Sequence, residues 1–233
     1  MNVHQLCRLP SLRAQELTCV VLFTAAIGLV SGCATNGYEK GDVAAAGMQK
    51  AATEVQAEQR ALDGTVAALG ELMNAQGGDL SIPFKRYSYS LDRLIAAAHR
   101  TETTGKTMEV KNAAYVDAWD RQLQSIDYQH IRDLSEARRT EVTNRMETVS
   151  RRYRESQATV QPLISYFEDI RKALSTDLTP AGLESLKEIV TNANNNVAKV
   201  QTALDALSTE LADSSVKMSS IAYSAKEQKP PDR

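Results

Sequence analysis

Hydrophobic side chains recur along this chain at alternating spacings of three and four, which places them on one stripe of an α-helix. The run nearest the C-terminus is the most regular. It reads Leu183, Leu186, Val190, Ala193, Val197, Val200, Leu204, Leu207, Leu211, Ser214, Met218 and Ile221, with Ser214 its only polar member. Thr179-Pro180 suits its start, because threonine caps a helix and proline fits the first turn. The preceding run, Val142, Met146, Val149, Tyr153, Ser156, Val160, Leu163, Phe167, Ile170 and Leu174, keeps the same spacing through Pro162. Proline removes one backbone donor, so a kink is expected there, with a break at Thr159–Pro162 as the alternative.

Two earlier runs are less even. Residues 82–126 give Phe84, Tyr87, Leu91, Leu94, Ala98, Thr101, Gly105, Met108, Asn112, Tyr115, Trp119, Gln122 and Ile126, rich at the ends and poor in the middle. The first run is Met48, Ala52, Val55, Gln59, Leu62, Val66, Leu69 and Met73, with Gly64 inside it at a helical cost of about 1 kcal/mol. Short breaks separate the runs: Gln76-Gly77-Gly78-Asp79, Ser125 to His130, and Ser175 to Pro180. Short connections make neighbouring helices antiparallel. The expected fold is therefore all-α: an elongated antiparallel helical bundle or coiled coil of about four long helices, 41–75, 82–126, 130–176 and 180–223. A mean spacing of 3.5 favours a left-handed supercoil. Residues 224–233, with Pro230-Pro231, read as a disordered tail.

The first forty residues follow a different pattern. Arg8 and Arg13 precede an uncharged stretch from Leu17 to Val30, which ends in Ser31-Gly32-Cys33. This is the charged, apolar and small-residue order of a secretory signal, and its apolar core is short for a membrane span. Val30-Ser31-Gly32-Cys33 resembles the lipobox of bacterial lipoproteins. The resemblance implies a signal peptide over 1–32, cleavage between Gly32 and Cys33, diacylglycerol on the Cys33 thiol and an acyl chain (palmitate or similar) on the new amino group. Ala34, in place of the aspartate that commonly retains such proteins in the inner membrane, implies the periplasmic face of the outer membrane. The alternative is an uncleaved anchor, since 17–38 holds no charge. Residues 33–40 read as a tether to the bundle.

Cysteine usage fits this picture. Cys7 and Cys19 lie in the segment expected to be removed, so the mature chain keeps Cys33 alone and forms no internal disulfide. The whole chain has 27 basic and 29 acidic side chains, a net of −2. That balance argues against nucleic acid as a partner.

Gly77-Gly78-Asp79-Leu80, Asp117-Ala118-Trp119-Asp120, Arg151-Arg152-Tyr153, the run Pro162 to Arg171, and Leu183-Glu184-Ser185-Leu186 carry a further likeness. From about Leu62 to Met218 the chain resembles an uncharacterised family of bacterial coiled-coil envelope proteins, classed as a domain of unknown function. The resemblance implies a helical fold and supplies no activity or catalytic residue.

Candidate chemistry is sparse. His99 and His130 are the mature chain's histidines, and Asp127-x-x-His130 has the spacing of half a metal site with no second half to complete it. No metal or other cofactor is expected beyond the covalent lipid on Cys33. Arg138, Arg145 and Arg152 recur every seven residues. They read either as a contact for an anionic surface or as a solvated face paired with Glu136, Glu141, Glu147 and Glu155. Tyr115, Trp119, Tyr153 and Phe167 sit on core positions and read as packing. No phosphate loop, nucleophile elbow or paired metal cysteines occur. The expectation is a membrane-anchored envelope protein with a structural or interaction role, meeting envelope proteins or itself, and no catalysis. Two alternatives stay open. One is a module binding lipid or a cell-wall component, with Ala98, Thr101, Gly105 and Asn112 lining a groove. The other is a membrane-active bundle.

Overall fold

Long amphipathic stripes have nothing to bury against except one another, and the chain resolves them as a bundle. The computed structural model describes residues 37–75 and 78–220. These form α1 (Gly37–Met73), α2 (Ser81–Gln124), α3 (Gln129–Thr176), α4 (Pro180–Ser185) and α5 (Lys187–Met218), and no strand occurs among the described residues. α1 packs on α2 and α5, and α3 packs on the same two helices from the other side. Neighbours are antiparallel. Arg100 reaches Glu54 while Arg86 reaches Glu71, and Gln59 reaches Asp205 while Gln201 reaches Asp63. A helix of 44 residues, the length of α2, is about 66 Å long at 1.5 Å per residue.

The stripes of α3 and α5 are buried where the spacing put them. All ten positions of the α3 run lie in the core. So do those of the last run from Leu183 to Met218, apart from the half-buried Leu186. Pro162 sits inside an unbroken α3, on its exposed side, so the helix is not broken there. Tyr87, fully buried, donates its hydroxyl hydrogen to the Phe167 carbonyl at 2.6 Å and ties α2 to α3.

Four expectations need correction. The first helix starts at Gly37, so residues 37–40 of the expected tether are helical. The last helix is two. At Leu186 the bonding tightens to a turn, its N–H donating to the Leu183 carbonyl at 3.1 Å, and Val190 resumes the stripe in phase. That last helix ends at Met218 rather than 223. In α2, Gln122 is exposed and Tyr115 and Trp119 are half-buried rather than core. Trp119 donates its indole N–H to the Ser135 hydroxyl at 2.9 Å, and its ring lies 5.4 Å from that of Tyr115. Residues 1–32, Cys33, Ile221 and the tail 224–233 lie outside the described residues.

The ends are set by local chemistry. Thr179 accepts from Gly182 N at 3.1 Å and Pro180 takes the first turn of α4. Gly78 holds φ +85, a conformation that favours glycine, and Asp79 accepts from Ser81 N at 2.8 Å to start α2. At the other end, Asp42 accepts from Ser220 N at 2.6 Å and from the Ser219 and Ser220 hydroxyls. Those bonds fasten the first turns of α1 to the end of α5.

Candidate functional site

The centre of the bundle holds a polar layer that the apolar stripes enclose. Glu58 of α1 is fully buried, and neither carboxylate oxygen has a hydrogen-bond partner within the protein. The Thr101 hydroxyl of α2 and the Tyr153 hydroxyl of α3 are buried and unpartnered as well. Ser156 of α3 is also fully buried, and it satisfies itself by donating to the Tyr153 carbonyl at 3.1 Å. Burial pushes the Glu58 carboxyl up to about 7, a rise the Thr101 hydroxyl offsets in part. Burial likewise drives the Tyr153 hydroxyl well above its ordinary value, and the charges of Glu58, Glu102 and Glu109 add to the effect. Gly105 makes room for this layer. A Cβ there would stand 2.4 Å from Tyr153 Cζ.

Glu58 had no place in the expected stripe. Met48, Val55, Leu62 and Leu69 belong equally to two sets with 3–4 spacing. One set continues through Ala52, Gln59, Val66 and Met73, the other through Ala51, Glu58, Thr65 and Leu72. The second set is the fully buried one, while Gln59, Val66 and Met73 are half-buried. The structural reason is that α1 faces two neighbours and buries a wide face. Thr65 tolerates the core because its hydroxyl lies 2.9 Å from the Ala61 carbonyl and 3.0 Å from the Ser90 carbonyl across in α2. Glu58 has only the nearby Thr101 hydroxyl, which is not placed for a full hydrogen bond.

A second feature lies farther along α2 and α3. Between them runs an open groove of about 780 Å³. Asn112, 5 % exposed, lines it with both amide atoms unpartnered, and the Thr143 hydroxyl beside it is unpartnered too. Glu109, Asp117, Glu147, Arg151 and Arg154 supply charge of both signs. The expected groove was misplaced. Ala98, Thr101 and Gly105 are buried under neighbouring helices, and only Asn112 of that set lines an opening, which mixes charged side chains with Ala113, Val116 and Met146.

The arginine stripe lies on the flank of α3 that faces α5. Arg138 pairs with Glu141 and donates to the Lys217 carbonyl at 2.9 Å. Arg145 pairs with Glu141 and with Asp213, each at 3.3 Å. Arg152 pairs with Glu155 at 3.4 Å. These are partly exposed pairs of modest strength; Arg138 and Arg145 tie α3 to α5, and the Arg152 pair stays within α3. Of the four acids expected to pair, Glu141 and Glu155 do so.

His99 and His130 are both exposed, one within α2 and one in the first turn of α3. Among the described residues no three metal-ligating side chains gather, and no helix is long and apolar enough to cross a membrane. Gly32 and Cys33 fall outside the described residues. The polar layer can titrate, but Glu58 within it is sealed from solvent. The groove is open, with the Asn112 amide buried beneath it and charged side chains along its rim.

A model of a family described as protein of unknown function (DUF2959) matches residues 31–218. No curated protein and no solved structure matches the chain.

Proposed function

The chain belongs to this family, whose description assigns no activity, so from the chain's own residues we propose a lipid-anchored envelope protein with a structural or protein-interaction role and no catalysis. The observation that carries this reading is Val30-Ser31-Gly32-Cys33 at the end of an uncharged stretch, followed at Gly37 by a long helix. The family match begins at Ser31, so the shared region takes in Cys33 and leaves out the apolar stretch before it. Two or three acyl chains, at about 0.8 kcal/mol per buried CH₂, make a durable anchor. The residue after the cysteine, Ala34, favours the periplasmic face of the outer membrane. The coiled-coil character of the family in the envelope belongs to the same reading.

The interaction role draws on the α2–α3 groove. Charges of both signs on its rim suit a protein or peptide surface better than a lipid tail.

Cys33→Ala tests the anchor. The variant is expected to lose all incorporation of a labelled fatty acid and to leave the membrane fraction. Continued labelling, or an unchanged membrane fraction with the thiol removed, contradicts the reading.

A further inference from the structure

One end of the bundle carries most of its open apolar surface. Tyr115 of α2 lies against Gly41 near the start of α1, yet α2 continues to Gln124 and α3 returns from Gln129. Nine more helical residues reach about 13 Å farther. α5 stops at Met218, level with Arg138, which donates to the Lys217 carbonyl. Arg145 and Arg138 mark the flank of α3 that faces α5. Below Arg138 the same flank continues, at spacings of four and three, as Leu134 and Ile131. Leu134 is 60 % exposed, Ile131 55 % and Tyr128, at the start of α3, 77 %. Among the described residues ten large hydrophobic side chains are exposed, and six of them, Tyr38 in the first turn of α1 included, sit at this end. The apolar surface is therefore directional, not scattered.

The same end carries the start of α1. Three residues, 34–36, separate Cys33 from Gly37, a tether of at most about 14 Å at 3.6 Å per residue. Resting on the lipid-anchor reading above, we propose that the α2–α3 tip, through Tyr128, Ile131 and Leu134, enters the interface of the bilayer that holds the acyl chains of Cys33. The anchor holds the tip beside the lipid, so the second contact is intramolecular and a small apolar patch suffices. Tyrosine suits the headgroup level, with an apolar ring and a polar end. The contact is apolar, not electrostatic. Asp127 and Asp133 flank it, and Arg132 turns inward to donate to the Ile126 carbonyl at 3.0 Å. A lipid anchor alone leaves a rod free to swivel. A second contact at the tip sets its direction away from the membrane.

The acylated chain holds no free thiol, so a cysteine placed at Leu134 is the single site for a nitroxide label. Purified acylated protein carrying Leu134→Cys is reconstituted into vesicles of phosphatidylethanolamine and phosphatidylglycerol, with Ile82→Cys at the opposite end as the comparison. Both positions are exposed, so neither substitution disturbs the core. The label at 134 is expected to shift toward collision with oxygen and away from a water-soluble nickel chelate. The label at 82 is expected to show the reverse. If the protein floats with the vesicles and both labels meet the nickel chelate equally, the tip contact is wrong. A label at 134 shielded from both reagents means that residues 221–233 or a second copy cover the tip, which also overturns it. Protein that does not float, or an unsubstituted chain that takes up label at Cys33, removes the anchor and this contact with it.

Discussion

Glu58→Leu raises the stability of the bundle, and its advantage over the natural chain widens by about 2–3 kcal/mol between about pH 5 and about pH 8. The sign follows from the carboxyl's two environments. Unfolded, it ionises near its ordinary value of 4.5, and folded, burial holds the proton on to about 7. Below the lower value both states are protonated and ionisation costs nothing. As pH rises past it, the unfolded chain ionises first. The folded state then loses ground at about 1.4 kcal/mol per pH unit until the carboxyl ionises in place, and the loss levels off near 3 kcal/mol. Asp42, Asp79, Glu102 and Glu141 are held below their ordinary values by hydrogen bonds and nearby cations, and they weaken the fold in the opposite direction as pH falls. Comparing variant with parent at each pH cancels their contribution. Denaturant titration at several pH values checks the result. A gap that stays flat contradicts a sealed carboxyl in the core. A polar group in an otherwise apolar stripe also penalises helix registers that would leave it facing hydrocarbon, which is a use for a residue that costs stability.

Gly105→Ala is expected to destabilise by about 1–2 kcal/mol although alanine is the better helix former. In a free helix the change would gain about 1 kcal/mol. Here the added methyl meets Tyr153 at 2.4 Å from Cζ and 2.7 Å from the hydroxyl oxygen, inside any real contact distance. Tyr153 is itself 7 % exposed, so its ring must move within packed surroundings. In a chain already carrying Tyr153→Leu the obstacle is gone, and alanine at 105 becomes neutral or stabilising. A double-mutant cycle by chemical denaturation reads the coupling directly, expected at about 2 kcal/mol. A Gly105→Ala chain at least as stable as its parent, with no coupling to position 153, would show that the ring does not rest on the glycine.

Both predictions concern residues on which the sequence was least explicit. α3 and α5 were legible because each faces its neighbours along a narrow stripe, and from Val142 to Met218 nearly every stripe position is apolar. α1 was not, because small residues such as Ala44, Ala45, Ala51 and Ala52 let two helices approach and bury a broad face. Two sets of positions then fit the spacing, and the one with Val66 looked more apolar than the one with Glu58 and Thr65. Only packing distinguishes them. The thin middle of α2 was read correctly as polar, but its outcome was not foreseeable. Gly105 is filled by a side chain from α3, and the opening falls about two turns farther on, at Asn112. The overhang of α2 and α3 likewise depends on where α5 ends, and Asp42 of α1 holds the chain just past that end by accepting from Ser220 N.

The whole account hangs on what chemistry Cys33 carries in the cell. The direct measurement is the mass of the N-terminal peptide of the protein extracted from bacterial envelopes. The predicted spectrum starts at Cys33 and carries diacylglycerol plus one amide-linked acyl chain. A spectrum that starts upstream of Cys33, or that shows Cys33 with a free thiol, contradicts it.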